Sequence, residues 1–131
     1  LPDVPRLTDK TKRLYAYLNA SHYTKGEATE KVVRVLGEKG QLNSSLLFNT
    51  FENIAFEFFL GLNHYRDLML KAGAKSAHLA GSGPTLYTML RYKKDAEKLF
   101  NKLKQQAKNV YLAETLAALG DLTTLTPLSF G

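Results

Sequence analysis

The chain has 131 residues, of which 44% are hydrophobic and 23% charged, the balance of one globular domain with a core of its own. It contains no cysteine, which excludes a disulfide framework, a thiolate metal site and a cysteine nucleophile, and fits a cytoplasmic setting. Its formal net charge is +6; no window approaches the ~18 consecutive apolar residues of a membrane span, and no basic-then-apolar leader is visible.

Residues 1–8 include two prolines and are expected to be extended, a lead-in rather than the start of a domain. Thr8 is placed to cap a helix over about residues 9–19, with Leu14, Tyr17 and Leu18 on one face. A polar turn over residues 21–26 precedes a second helix at about 27–36, where Val32, Val35 and Leu36 fall at core spacing and Gly37 is a stop. Asn43 or Ser44 is expected to cap a third helix carrying Leu47, Phe51, Ile54, Ala55 and Phe58 at helical spacing. Gly61 interrupts, and a fourth helix follows at about 63–72, with Gly73 at the position of a left-handed C-terminal cap.

The period then changes. Residues 77–80 and 85–91 are expected to be strands joined across Ala80-Gly81-Ser82-Gly83-Pro84-Thr85. A fifth helix at about 95–107 places Ala96, Leu99, Phe100, Leu103 and Ala107 inward, and residues 110–114 suit a further strand. Residues 116–131 carry no clear pattern. This order predicts an α+β domain, an antiparallel sheet packed against helices on one face.

Two glycines one residue apart, followed by proline, demand a tight turn, and such a turn presents backbone N–H groups that can bind an anion. Self-sufficient catalytic machinery is absent. His22, His64 and His78 lack metal-site spacing, and Glu52 and Glu57 are five residues apart, so they diverge on a helix. Ser82 is not in a Gly-x-Ser-x-Gly frame, since Ala80 replaces the first glycine. Between residues 91 and 108, Arg91, Lys93, Lys94, Lys98, Lys102, Lys104 and Lys108 face only Asp95 and Glu97. Lysine dominates that stretch and only Tyr92 and Phe100 interrupt it, which favours a solvated helix face over a nucleic-acid surface.

Residues 49–90 resemble the C-terminal half of the GHMP family of small-molecule kinases. Leu47-Phe48-Asn49-Thr50-Phe51-Glu52 is similar to that family's Asn-Asp-Phe-Glu helix, with Thr50 in place of Asp. Lys71-Ala72-Gly73-Ala74 and Gly81-Ser82-Gly83-Pro84-Thr85 are similar to the helix end and the third motif that follow. Upstream, Lys10-Thr11-Lys12-Arg13-Leu14-Tyr15 and Tyr23-Thr24-Lys25-Gly26 resemble Ser-Thr-x-x-x-Tyr and Tyr-Thr-Asp-Gly segments, with Lys10 for Ser and Lys25 for Asp. The resemblance covers nearly the whole chain, weakly at both ends, as one GHMP kinase C-terminal domain over residues 1–131.

The resemblance implies a ferredoxin-like plait with added helices, its fourth strand in residues 122–128 or in the N-terminal stretch. It also implies an ATP-dependent enzyme that phosphorylates the 2-hydroxyl of a cytidine-diphosphate-linked methylerythritol, in the non-mevalonate route to isoprenoid precursors. ATP and Mg2+ are the implied cofactors, bound mainly by an N-terminal domain that supplies a glycine-rich loop and the base. No such loop occurs here, so no catalytic residue and no metal ligand is expected, and the isolated chain is expected to be inactive. Residues 1–8 would be the tail of that missing domain. The implied partners are a nucleotide-linked small-molecule substrate and the N-terminal domain, with neither membrane nor nucleic acid.

Two roles carry over. The turn of Gly81, Ser82, Gly83, Pro84 and Thr85 would close the site beside the phosphate loop and the reacting hydroxyl. Tyr15 aligns with an aromatic that stacks on the cytosine ring, although its position beside Leu14 and Leu18 also suits the core. Asn49 and Glu52 are expected to fix the third helix against the turn, and Phe51, Ile54 and Phe58 to be core. The alternatives are a stand-alone ferredoxin-like module that binds a ligand or partner, and another GHMP kinase's C-terminal domain, because the turn motif is shared.

Overall fold

A computed structural model describes residues 1–115. Apolar residues at helical spacing produce five α-helices there: α1 (Lys10–Tyr17), α2 (Glu27–Gly37), α3 (Glu52–Phe58), α4 (Leu62–Ala72) and α5 (Lys93–Lys104). Between α4 and α5, β1 (His78–Leu79) pairs antiparallel with β2 (Leu86–Tyr87), Leu79 opposite Leu86 and His78 opposite Tyr87. Among the described residues the sheet has these two strands. No helix among them is long and apolar enough to cross a membrane.

Five expectations need correction, the simplest being Leu36 of α2, expected at a core position and 53% exposed. Helix α1 is not capped by Thr8: Asp9 precedes it in the left-handed region at φ 51°, with no side-chain cap. The long third helix does not form. Asn43 instead caps a short 3-10 turn, Ser44–Leu46, and α3 starts only at Glu52. The reason is Asn49, whose Oδ1 accepts the Phe51 N–H at 3.0 Å and so stands in for a preceding helical turn,. The strand expected at 85–91 pairs only at Leu86–Tyr87, because its partner is confined between the end of α4 and the turn that opens at Ala80. Residues 110–114 are no strand; Val110 packs on the α4–α5 cluster, while Tyr111 and Leu112 are exposed. The strand expected at 122–128 lies outside the described residues.

The apolar interior falls into two clusters. In the first, Leu14, Ala55, Phe59, Leu62 and Leu79 join α1, the α3–α4 region and β1, with Phe51, Ile54 and Phe58 partly buried against them. In the second, Ala72 and Ala74 at the end of α4 meet Leu99 and Leu103 of α5. Gly73, at φ 116°, lets α4 end in a left-handed cap, and the N–H groups of Gly73 and Ala74 close on Leu70 and Met69 carbonyls,. Lys102 Nζ donates to the Ala72 carbonyl at 3.1 Å, satisfying a further acceptor at that helix end,. The other lysines of α5 are exposed, Lys104 with its Nζ 5.7 Å from the centre of the Phe100 ring.

Candidate functional site

The glycine turn is closed by two backbone bonds: Ala80 N–H donates to Thr85 O at 2.8 Å and Gly83 N–H to Ala80 O at 2.9 Å. Gly81 and Gly83 lie at φ 54° and 70°, and the Gly83–Pro84 peptide bond is cis. The two glycines serve different ends. A Cβ on Gly83 would lie 2.8 Å from Leu79 Cδ1 and 3.0 Å from Phe59 Cε2, whereas one on Gly81 would meet nothing within 4 Å. Gly83 therefore faces the core and Gly81 faces open space. The N–H groups of Gly81 and Ser82 have no hydrogen-bond partner among the described residues, which leaves adjacent donors on an exposed turn.

Side chains from two elements hold this turn. From α1, Lys10 Nζ donates to the Gly83 carbonyl, and Thr11 Oγ1 lies 3.1 Å from Ser82 Oγ. From the segment leading into α3, Asn49 Nδ2 donates to the carbonyls of Leu79 and Gly81, both at 2.8 Å. With its Oδ1 bonded to Phe51, the amide of Asn49 is engaged at both ends,. Glu52 Oε1 accepts the Leu79 N–H at 2.7 Å and stands 3.5 Å from His78 Nδ1. Asn49 and Glu52 thus bind α3 to the strand and the turn. His78 points inward beside Glu52, its ring 5.7 Å from that of Tyr87. Burial, with the Glu52 carboxylate adding to it, pushes the Tyr87 hydroxyl above its ordinary pKa,.

Beside the turn opens a groove of about 520 Å³ whose aromatic walls are Tyr15, Tyr23, Phe48, Phe51 and Tyr87, with Asn49 and the backbone of Gly81 at its polar edge. Tyr15 is 57% exposed, its ring held edge-on to Phe51 at 5.1 Å between centroids. The core residue of α1 is instead the neighbouring Leu14, which is fully buried. An exposed ring fixed at one edge is suited to receive a planar group on its face.

The structure brings Tyr15 and Gly81 to one groove, with Ser82, Gly83, Pro84 and Thr85 in the turn alongside. Sequence reasoning missed Tyr23, Phe48 and Tyr87 as groove walls, and Lys10 and Thr11 as anchors of the turn. Tyr23 and Phe48 stood inside recognisable segments, so exposed aromatics within those segments were the available signal. Among the described residues no group of three histidine, aspartate or glutamate side chains is placed to share a metal ion.

The glycine turn, with its free donors, thus lies beside an aromatic groove. The family described as "GHMP kinases C terminal" matches residues 26–109, and the chain belongs to that family. Two proteins named 4-diphosphocytidyl-2-C-methyl-D-erythritol kinase, from two strains of Dehalococcoides mccartyi, are 42% identical to it over 119 residues, covering 91% of this chain and 42% of theirs. A protein of the same name from Macrococcus caseolyticus is 30% identical over 114 residues, covering 86% of this chain and 40% of its own. The chain spans about two fifths of the length of these curated relatives. No solved structure matches it significantly.

Proposed function

We propose that this chain is the C-terminal portion of an ATP-dependent kinase that phosphorylates the 2-hydroxyl of 4-diphosphocytidyl-2-C-methyl-D-erythritol, a cytoplasmic step of non-mevalonate isoprenoid precursor synthesis. The observation that carries the reading is the aromatic groove: Tyr15, on a segment similar to that of relatives bearing this name, is exposed on its wall. In this reading Tyr15 stacks on the cytosine ring, an interaction typically worth about 1–3 kcal/mol. Residues 81–85 close over the reacting hydroxyl, with the free N–H groups of Gly81 and Ser82 directed at phosphate oxygens. Phosphoryl transfer depends chiefly on positioning and charge neutralisation, so a domain that supplies fixed donors and a base pocket contributes without supplying a nucleophile.

Residues 1–131 then form one domain, completed as a ferredoxin-like plait, with residues 1–8 leading in from an N-terminal domain. That domain holds ATP and Mg2+ and supplies the base, and the isolated chain is inactive. The reading is supported by the match to a C-terminal family region and by the 42% share of the relatives' length that the chain covers. Sequencing the gene upstream of Leu1 tests it. An in-frame Pro-x-x-x-Gly-x-Gly-Gly-Gly-Ser-Ser loop is expected; a start codon beside Leu1 with no such loop would leave a stand-alone binding module.

A further inference from the structure

Helix α1 touches both parts of the site. Its first turn carries Lys10, bonded to the Gly83 carbonyl, and Thr11, whose hydroxyl meets that of Ser82 at 3.1 Å. Tyr15 comes four residues after Thr11 and so lies on the same face of the helix, where it enters the groove wall. Leu14, fully buried, seats the helix on the first cluster. Lys10 and Gly83 are 73 residues apart in the chain, so their contact is tertiary. A lysine that holds one carbonyl of an irregular turn gives up much of its rotamer freedom. What it gains is a fixed place for the two residues, Ser82 and Gly83, at the centre of the turn.

We propose that Lys10 and Thr11 are positioning residues: they clamp the glycine turn and couple its conformation to what occupies the groove at Tyr15. The clamp stands on the geometry alone, while the coupling rests on the reading of the groove as a cytidine site. A base stacked on Tyr15 immobilises α1, and α1 in turn holds Ser82 and Gly83. Binding energy from the non-reacting base is thereby used to orient the loop beside the reacting group.

The test is amide hydrogen exchange, read by NMR, on this chain and its Lys10→Met, Lys10→Arg and Thr11→Val variants. The reporter is the Gly83 N–H, bonded to Ala80 O, and the fold control is the Ala74 N–H, bonded to Met69 O in the second cluster. Loss of a charge-assisted bond predicts exchange at Gly83 about tenfold faster in Lys10→Met, with Lys10→Arg close to wild type and Ala74 unchanged in both. Thr11→Val, which keeps the lysine, is expected to shift Gly83 in the same direction by less. Unchanged exchange at Gly83 in both Lys10→Met and Thr11→Val overturns the clamp.

Cytidine, the nucleoside, which carries no phosphate to meet the Gly81 and Ser82 N–H groups directly, then serves as the probe. It is expected to shift the Tyr15 resonances in every variant, and those of Gly81, Ser82 and Gly83 only where Lys10 or Arg is present. Turn resonances that respond equally in Lys10→Met overturn the coupling. Absence of any shift at Tyr15 in the wild type overturns the cytidine reading, and the exchange rates still decide the clamp.

Discussion

The two apolar clusters are joined to their surroundings in opposite ways. Around Ala72, Leu99 and Leu103, two regular helices pack through small and branched side chains, and Lys102 is the side chain that reaches across to a backbone carbonyl. Around Leu14, Phe59 and Leu79 the backbone is irregular: a glycine turn, two short strands and a helix that starts late. There Lys10, Asn49 and Glu52 bond to backbone groups that helix or sheet would otherwise satisfy. Where a chain gives up regular bonding, side chains must replace it, and the same irregularity leaves the Gly81 and Ser82 N–H groups without partners among the described residues. The regular half is scaffold, and the cross-braced half carries the candidate site.

Gly83→Val attacks the cross-braced half most severely. It places a β-branched residue at φ 70° with its Cβ 2.8 Å from Leu79 Cδ1, and is expected to cost about 3–5 kcal/mol from left-handed strain and overpacking together. Gly81→Ala, at φ 54° in open space, is expected to cost only about 1 kcal/mol. Chemical denaturation of the two variants checks this, and equal costs would erase the distinction between the inward and the outward glycine.

Asn49→Ala comes next. It strips the Leu79 and Gly81 carbonyls and the Phe51 N–H of their partner, at an expected ~2 kcal/mol. Lys102→Ala in the scaffold half, on an exposed lysine, is expected to cost less than ~1 kcal/mol, also read from denaturation midpoints. A larger loss from Lys102→Ala would reverse the comparison.

Tyr15→Ala separates site from core. Stability is expected to change by no more than about 1 kcal/mol, while affinity for a cytidine nucleotide, followed by calorimetry, falls by about 1–3 kcal/mol. If the substitution melts the domain, Tyr15 belongs to the core after all.

The smallest expected effect is a pH dependence. Tyr87 ionises above its ordinary value of 10.0 in the fold because of burial and the nearby Glu52 carboxylate. The unfolded chain therefore loses that proton first. The contribution of Tyr87 is fully present below 10.0 and declines as pH rises through the higher folded value,. Tyr87→Phe should flatten the fall in melting temperature over that alkaline range.

The scaffold half was the more legible in the sequence. The helical period and the stop at Gly73 located α4 to within a residue and α5 to within two or three, because local pattern and tertiary packing agree there; α2, outside both clusters, was placed as closely as α4,. The glycine turn was equally plain, since Gly-x-Gly-Pro permits little else. Residues 47–51 misled because their apolar spacing fits a helix, while a single side chain, Asn49, redirects the backbone toward a strand 30 residues away. Residues 110–114 have the composition of a strand but no neighbouring edge among the described residues. The groove was half visible. Tyr15 came from a segment resemblance, but Tyr87 joins it only through the pairing of β1 with β2, and the role of Lys10 depends on a contact no local pattern records. Sequence also left both glycines as positions of backbone approach, and only the packing shows that Gly83 is needed for Leu79 and Phe59.

The most direct test follows phosphoryl transfer by phosphorus NMR, with ATP, Mg2+ and 4-diphosphocytidyl-2-C-methyl-D-erythritol as reactants. The complete reading frame that contains this chain is compared with these 131 residues alone. The account predicts a new phosphomonoester signal with the complete protein and none with the isolated chain. Transfer by the isolated chain, or none by the complete protein, would contradict it.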